Sequence, residues 1–288
     1  MEKRQILDEL LKWRYAHRGF HQKPVVPENS MAAFKRALDE GFGIELDVHL
    51  SKDGKLAVLH DASLWRTCGI DLYIEETNLE DAQIYFLEKS EERIPELCEV
   101  LEMVAGKVPL IIELKVEEGN HRELTDAVMT ALEGYNGLYC IESFNPSAVG
   151  YLRKNYPDVV RGQLAGCLNE DAEEEVKKIR PHIDVDCVEF EDTGLEGTFM
   201  DVSLGVVEEA EENALSWWQD FLLKHLWVNA TGRPDFVAYQ YEDREMDAFQ
   251  NYKGAKFLWT ITEYADLKEC EEMGMVPIFE QFNPKDYE

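Results

Sequence analysis

The stretch IELDVHLSKDGKLAVLHD, residues 44–61, decides how the chain folds. With 44–49 as a strand, side chains alternate between two faces, so Glu45 and Asp47 share one face while Ile44, Leu46 and Val48 take the other. Two carboxylates on one side of an otherwise apolar strand call for a compensating group nearby.

Outward from this stretch, apolar runs alternate with helical patterns along the chain. Strands are expected near 13–18, 43–49, 108–115, 138–142, 159–164, 235–240, 256–261 and 275–280, with helices in patterns such as NSMAAFKRALDEG (29–41) and IPELCEVLEMVAG (94–106). A short amphipathic helix over 2–12 precedes them. Eight strands in this rhythm predict a (β/α)8 TIM barrel, one domain over 1–288. Residues 50–94 are too long for an ordinary strand-to-helix connection and predict a small, loop-rich cap after the second strand, opening on the turn SKDGK. A second insertion, 169–213, is strongly acidic (LNEDAEEEVKK, EFEDTGLEG, VVEEAEEN), and such charge runs are ordinarily solvated surface.

The third strand repeats the pattern of the second. In PLIIELKVE (109–117), Ile112 and Leu114 face the surrounding helices while Glu113 and Lys115 point into the barrel. Three carboxylates and a lysine therefore converge, and buried carboxylates need a cation. Oxygen ligands without cysteine or a clear histidine pair favour one divalent metal, Mg²⁺ or Ca²⁺, over zinc. The alternative is a salt-bridge network that only fixes the barrel interior. His17 closes the first strand at the end where barrel active sites lie, with Arg18 and Gly19 in the following turn; His60 and Asp61 follow the run KLAVL. The remaining histidines, 21, 49, 121, 182 and 225, read as ordinary surface or core residues. A metal, an arginine, a lysine and two imidazoles together describe phosphoryl chemistry with an acid and a base in line.

The bulk numbers bound the partners. With 288 residues, 45% apolar content and a formal net charge of -30, the chain suits a large core but neither a nucleic acid nor an anionic lipid surface held by charge. Any anionic substrate must meet positive charge inside the mouth. The six cysteines include no CxxC pair and read as thiols in a reducing compartment. The opening MEKRQILDELLKWRY mixes charges through its apolar residues, and no run is long enough to span a bilayer, so a cytoplasmic protein without stable membrane insertion is expected.

HRG at 17–19, PENS at 27–30, IELDV at 44–48, KDG at 52–54, HD at 60–61, IELK at 112–115 and WTI at 259–261 resemble, in order and spacing, the glycerophosphodiester phosphodiesterases of the phosphatidylinositol-specific phospholipase C-like superfamily. The likeness resumes through WWQDFLLKHLWVNATGRPDFVAY and IFEQF, whereas 169–213 has no counterpart in it. PENS in place of PENT keeps a hydroxyl at a helix N-cap. The resemblance implies hydrolysis of glycerophosphodiesters, such as glycerophosphocholine or glycerophosphoethanolamine, to sn-glycerol 3-phosphate and an alcohol. It implies Glu45, Asp47 and Glu113 as metal ligands, His17 and His60 as general acid and base, Arg18 as the phosphate-binding arginine, and Asn29 and Lys115 beside the substrate. In the related phospholipases C a substrate hydroxyl attacks phosphorus to give a cyclic phosphate, a route also open to a glycerol 2-hydroxyl.

Trp259, ending the seventh strand, is placed to pack against the glycerol. Leu215, Trp218, Leu222 and Leu226 line one helical face, widened by Trp217, Phe221 and Trp227; this reads as a barrel helix, or as an apolar lip admitting lysophospholipids. Two rival functions are a phospholipase releasing a cyclic product and a silent scaffold that recruits a partner through the acidic segment.

Overall fold

The computed structural model describes residues 2–117, 119–166, 226 and 229–288. Eight parallel strands close into a barrel: β1 (Tyr15–Ala16), β2 (Gly43–Leu50), β4 (Leu110–Leu114), β5 (Tyr139–Ser143), β6 (Arg161–Ala165), β7 (Phe236–Gln240), β8 (Ala255–Ile261) and β9 (Val276–Phe279). Closure comes from β1, which pairs in parallel with both β2 and β9. All eight expected strands are present. The first is shorter than expected because the chain leaves the sheet after Ala16, where Arg18 and Gly19 take positive φ values of 52° and 77°.

The strand missed by the sequence reading is β3 (Leu56–Val58), which folds back antiparallel on the end of β2, pairing Val48 with Val58. SKDGK is its hairpin turn. Beyond it, residues 59–94 hold short helices, α3 (Trp65–Cys68) and α4 (Leu79–Ala82), and a 3-10 turn at Ile74–Glu76. Ala57, Leu59, Leu64, Ile74, Leu79, Ala82, Leu87 and Ile94 form a separate buried cluster, which gives this cap a core of its own.

Period-two alternation divides the barrel residues into two shells. Ile44, Leu46, Val48, Leu110, Ile112 and Leu114 pack outward against helices such as α2 (Met31–Glu40) and α5 (Leu97–Val104). Tyr15, Ile111, Cys140, Leu164, Phe236, Phe257 and Ile278 fill the interior below the mouth. Phe236 and Phe257 pack with centroids 4.5 Å apart and their rings tilted by 41°, and Gly162 makes room for them, since a Cβ there would sit 2.2 Å from the Phe236 ring. Helix α2 begins where the Ser30 hydroxyl accepts from Ala33 N at 3.1 Å, as PENS predicts, and it ends at Gly41. The remaining described helices are α1 (Lys3–Leu10), α6 (His121–Ala131), α7 (Pro146–Asn155), α8 (Asn229–Gly232), α9 (Asp247–Asn251) and α10 (Tyr264–Glu272). None of the described helices is long and apolar enough to cross a membrane.

The acidic segment 169–213, His182, His225 and, apart from the buried Leu226, the apolar face of 215–228 lie outside the described residues.

Candidate active site

Strand register sets the floor of the site. Asp47 pairs with Glu113, and Glu113 with Glu142, so β2, β4 and β5 carry one row of carboxylates facing the barrel axis, with Glu45 one step below. Glu45, Asp47 and Glu113 are 3%, 1% and 6% exposed, and one oxygen from each lies within 4.8 Å of the other two. Lys115 Nζ lies 3.1 Å from Asp47 Oδ1 and 2.8 Å from Glu113 Oε1. Asn29 Nδ2 donates to Asp47 Oδ2 at 2.7 Å, and Asp47 N donates back to Asn29 Oδ1. Asn29 reaches this position through a left-handed backbone, φ 52°, and its own N–H donates to the Arg18 carbonyl.

The Arg18 guanidinium bridges two acids. Its Nη1 donates to Glu28 Oε1 at 2.9 Å and its Nε lies 3.5 Å from Asp47 Oδ2, while the Arg18 backbone N–H donates to Glu45 Oε2 at 2.8 Å. Glu28 also takes Lys23 and Arg66, and these cations hold its carboxyl far below the usual range despite burial.

The electrostatics divide the carboxylates. Burial raises Glu113 to about 7, with Lys115 opposing and Asp47 adding to the rise. Burial, then repulsion from Asp47 and Glu113, pushes Glu45 well above the ordinary value. Asp47 is equally buried, yet Lys115 and Arg18 hold it well below. Lys115 resists the discharge that burial favours because Asp47 and Glu113 keep it charged. One lysine and one arginine thus leave two of three adjacent carboxylates poorly compensated. This donor set, three buried carboxylates with no thiolate, fits a hard divalent ion.

The imidazoles flank this floor. His17 Nδ1 lies 2.8 Å from Glu280 Oε2, and its Nε2 is 4.0 Å from Glu45 Oε2. His60 Nδ1 lies 2.6 Å from Asp61 Oδ1, and Asp61 is held by Arg66. Ionised carboxylates only accept, so Nδ1–H donates in each neutral ring and Nε2 keeps its lone pair. Burial lowers His17, and burial lowers His60 to about 4, so both rings are neutral at pH 7.

The profile of the Glycerophosphoryl diester phosphodiesterase family matches residues 17–282, a span that takes in every residue above. The chain belongs to that family. It is similar to the Glycerophosphodiester phosphodiesterase of Caldanaerobacter subterraneus subsp. tengcongensis, 40% identical over 162 residues that cover 53% of this chain and 66% of the relative. It is also similar to one from Bacillus altitudinis, 36% identical over 156 residues, 50% of this chain and 63% of the relative. These alignments therefore span somewhat under two thirds of the curated relatives' length. A solved Oleispira antarctica phosphodiesterase in complex with the product sn-glycerol-3-phosphate shares the fold across 95% of this chain and 94% of its own, with TM-score 0.66 at 19% identity.

Of the nine residues singled out in the sequence, eight interlock in this family member: His17, Arg18, Asn29, Glu45, Asp47, Glu113, Lys115 and His60. Trp259 stands apart on β8, edge-on to Phe144 at 5.6 Å, with its buried Nε1 unpartnered among the described residues. Sequence reading gave no role to the partners that orient the site, Glu280, Asp61, Glu28 and Arg66, although the first three stand in the quoted IFEQF, HD and PENS. It also read His21 and His49 as ordinary. His21 Nε2 is 3.2 Å from Glu280, and His49 is tied to Glu75 and to the His60 carbonyl.

Proposed function

We propose that this chain hydrolyses glycerophosphodiesters, such as glycerophosphocholine or glycerophosphoethanolamine, to sn-glycerol 3-phosphate and an alcohol. The observation that carries this reading is the pairing of three clustered, under-compensated carboxylates with two imidazoles, each oriented by its own carboxylate. Glu45, Asp47 and Glu113 would hold one Mg²⁺ or Ca²⁺ ion, which when bound supplies Lewis-acid charge for a phosphoryl oxygen. Arg18 and Lys115 bind and orient the phosphodiester and stabilise the negative charge that grows on its non-bridging oxygens. Asn29 holds the Asp47 carboxylate in place.

Both histidines present a free Nε2 lone pair. One takes the proton from the attacking oxygen as its bond to phosphorus forms. The other delivers a proton to the alcohol oxygen as its bond to phosphorus breaks, having gained that proton when the anionic substrate enters beside it. The attacking oxygen is that of water or the glycerol 2-hydroxyl; a 1,2-cyclic glycerophosphate trapped in quenched reactions identifies the second route, and solvent oxygen in the product without it identifies the first.

The test is release of glycerol 3-phosphate by chelated protein with Mg²⁺ or Ca²⁺ added back. Release that depends on the ion and falls about 10²–10⁴-fold in His17→Ala and His60→Ala, and with Glu45→Ala, supports the assignment. A folded protein inactive with either ion overturns it.

A further inference from the structure

Glu28 draws more positive charge than one carboxylate needs. Arg18 Nη1 donates to its Oε1 at 2.9 Å, Arg66 Nη2 reaches the same oxygen from the cap at 2.6 Å, and Lys23 pairs with Oε2, although the Glu28 side chain is only 2% exposed. Arg66, on α3, is anchored from its other edge. Its Nε donates to Asp61 Oδ2 at 2.6 Å and its Nη2 to Asp61 Oδ1 at 3.1 Å, a side-on grip on the carboxylate that also faces His60 Nδ1. One guanidinium of the cap therefore stands between the partner of Arg18 and the partner of His60.

Arg18 has a task that Glu28 opposes. In the reading proposed above it turns to the phosphodiester, and its Nε, 3.5 Å from Asp47 Oδ2, is buried with no hydrogen-bond partner among the described residues. Its Nη1, however, is held by Glu28. Drawing that donor away from a buried carboxylate oxygen costs more than the bond itself contributes, because the charge is left desolvated and unanswered. Arg66 removes this cost. It bonds the same Oε1 and is fixed by Asp61 rather than by Arg18, so the oxygen keeps a cationic donor when Arg18 leaves. Lys23 pairs with the other oxygen and does not take over at Oε1.

We infer that Arg66 is a positioning residue of the cap, which releases Arg18 to the substrate phosphate by keeping Glu28 paired. This rests on the phosphodiesterase reading and adds to it that phosphate affinity in the barrel mouth depends on a cap residue acting through Glu28. Arginine suits the place because its planar fork holds Asp61 side-on and still turns one N–H to Glu28.

Binding of sn-glycerol 3-phosphate to the full chain in excess Mg²⁺, followed by titration calorimetry, tests this without turnover. Arg66→Met keeps the length of the stem and loses the guanidinium, and should bind about tenfold or more weakly than the wild type. Adding Glu28→Gln to that variant should restore binding to within about threefold, because no buried charge is then left behind when Arg18 turns. A residue that merely props up the cap is not rescued by a change in the PENS loop. Arg66 is exposed, so its loss spares the core, and unfolding midpoints check that each variant is folded. An Arg66→Met protein that binds as tightly as the wild type, or a double variant as weak as Arg66→Met, overturns the inference alone. A folded wild type that binds no glycerol 3-phosphate overturns the phosphodiesterase reading and this inference with it.

Discussion

Glu142 is the least compensated carboxylate of the row among the described residues, with only the charge of Lys115 opposing the rise. It is 1% exposed, its Oε2 has no hydrogen-bond partner among the described residues, and burial followed by repulsion from Glu113 and Asp47 raises it well above the ordinary value. A carboxyl whose folded value is raised weakens the fold above that value and is relieved as pH falls through it. Glu142→Gln should therefore stabilise chelated protein more at pH 9 than at pH 6, by about 1–3 kcal/mol at the alkaline end, read from urea unfolding. An equal gain over the wild type at both pH values would show the carboxylate to be satisfied. The residues that orient the imidazoles carry a different expectation. Asp61→Asn and Glu280→Gln replace a carboxylate that can only accept by an amide that can also donate to Nδ1, which releases the tautomer and removes the charge that favours the imidazolium, so each should lower kcat by about 10²-fold or more with KM little changed. If KM moves instead, these acids act on substrate rather than on the rings. Glu45, Asp47 and Glu113 were legible because strand periodicity alone turns them to one face. Glu280 was not, since it meets His17 across 263 residues of chain, and no local pattern encodes such a pairing.

At the scale of elements, the turn after β1 delivers both His17 and Arg18, and Gly19 makes it possible. Gly19 has φ 77°, and a Cβ there would stand 2.9 Å from the Phe34 ring and 3.0 Å from Ala33 on α2. Gly19→Ala combines left-handed strain with a clash against a helix that is itself packed on the barrel, and should cost about 1–3 kcal/mol in urea unfolding. A cost under about 0.5 kcal/mol would mean that the turn relaxes freely and does not fix the arginine. The barrel strands were legible as apolar runs between helical patterns, and the PENS N-cap from its hydroxyl. Strand β3 escaped because three residues carry too little periodicity, although its turn, SKDGK, was plain. The contacts of His49 escaped for a related reason: Glu75 comes from the cap and the His60 carbonyl from the chain beyond β3, and a lone histidine on a strand gives no sign of them.

Barrel closure, at the scale of the whole molecule, gathers Glu45, Asp47, Glu113 and Glu142 from three strands around Lys115 and Arg18 in a chain of net charge -30. Two opposing titrations follow. Glu113 at about 7, with Glu45 and Glu142 also raised, makes chelated protein less stable as pH climbs from 5 to 8. Glu28, whose carboxyl Arg66 and Arg18 hold far below the usual range, and Glu280, held low by His17 and His21, contribute stability above the unfolded carboxylate value of about 4.3 that is lost as pH falls below it. The metal-free protein should therefore be most stable in mild acid, near pH 5. Mg²⁺ or Ca²⁺ at 100 times its dissociation constant should add about 2.7 kcal/mol and move the optimum towards pH 7–8, because only the ionised carboxylates bind it. Unfolding midpoints from pH 3 to 9, with and without the ion, decide between the two readings that the row of carboxylates first offered. If the chelated protein instead grows steadily more stable up to pH 8, Lys115 and Arg18 suffice, and the row is a salt-bridge network that closes the barrel without a metal.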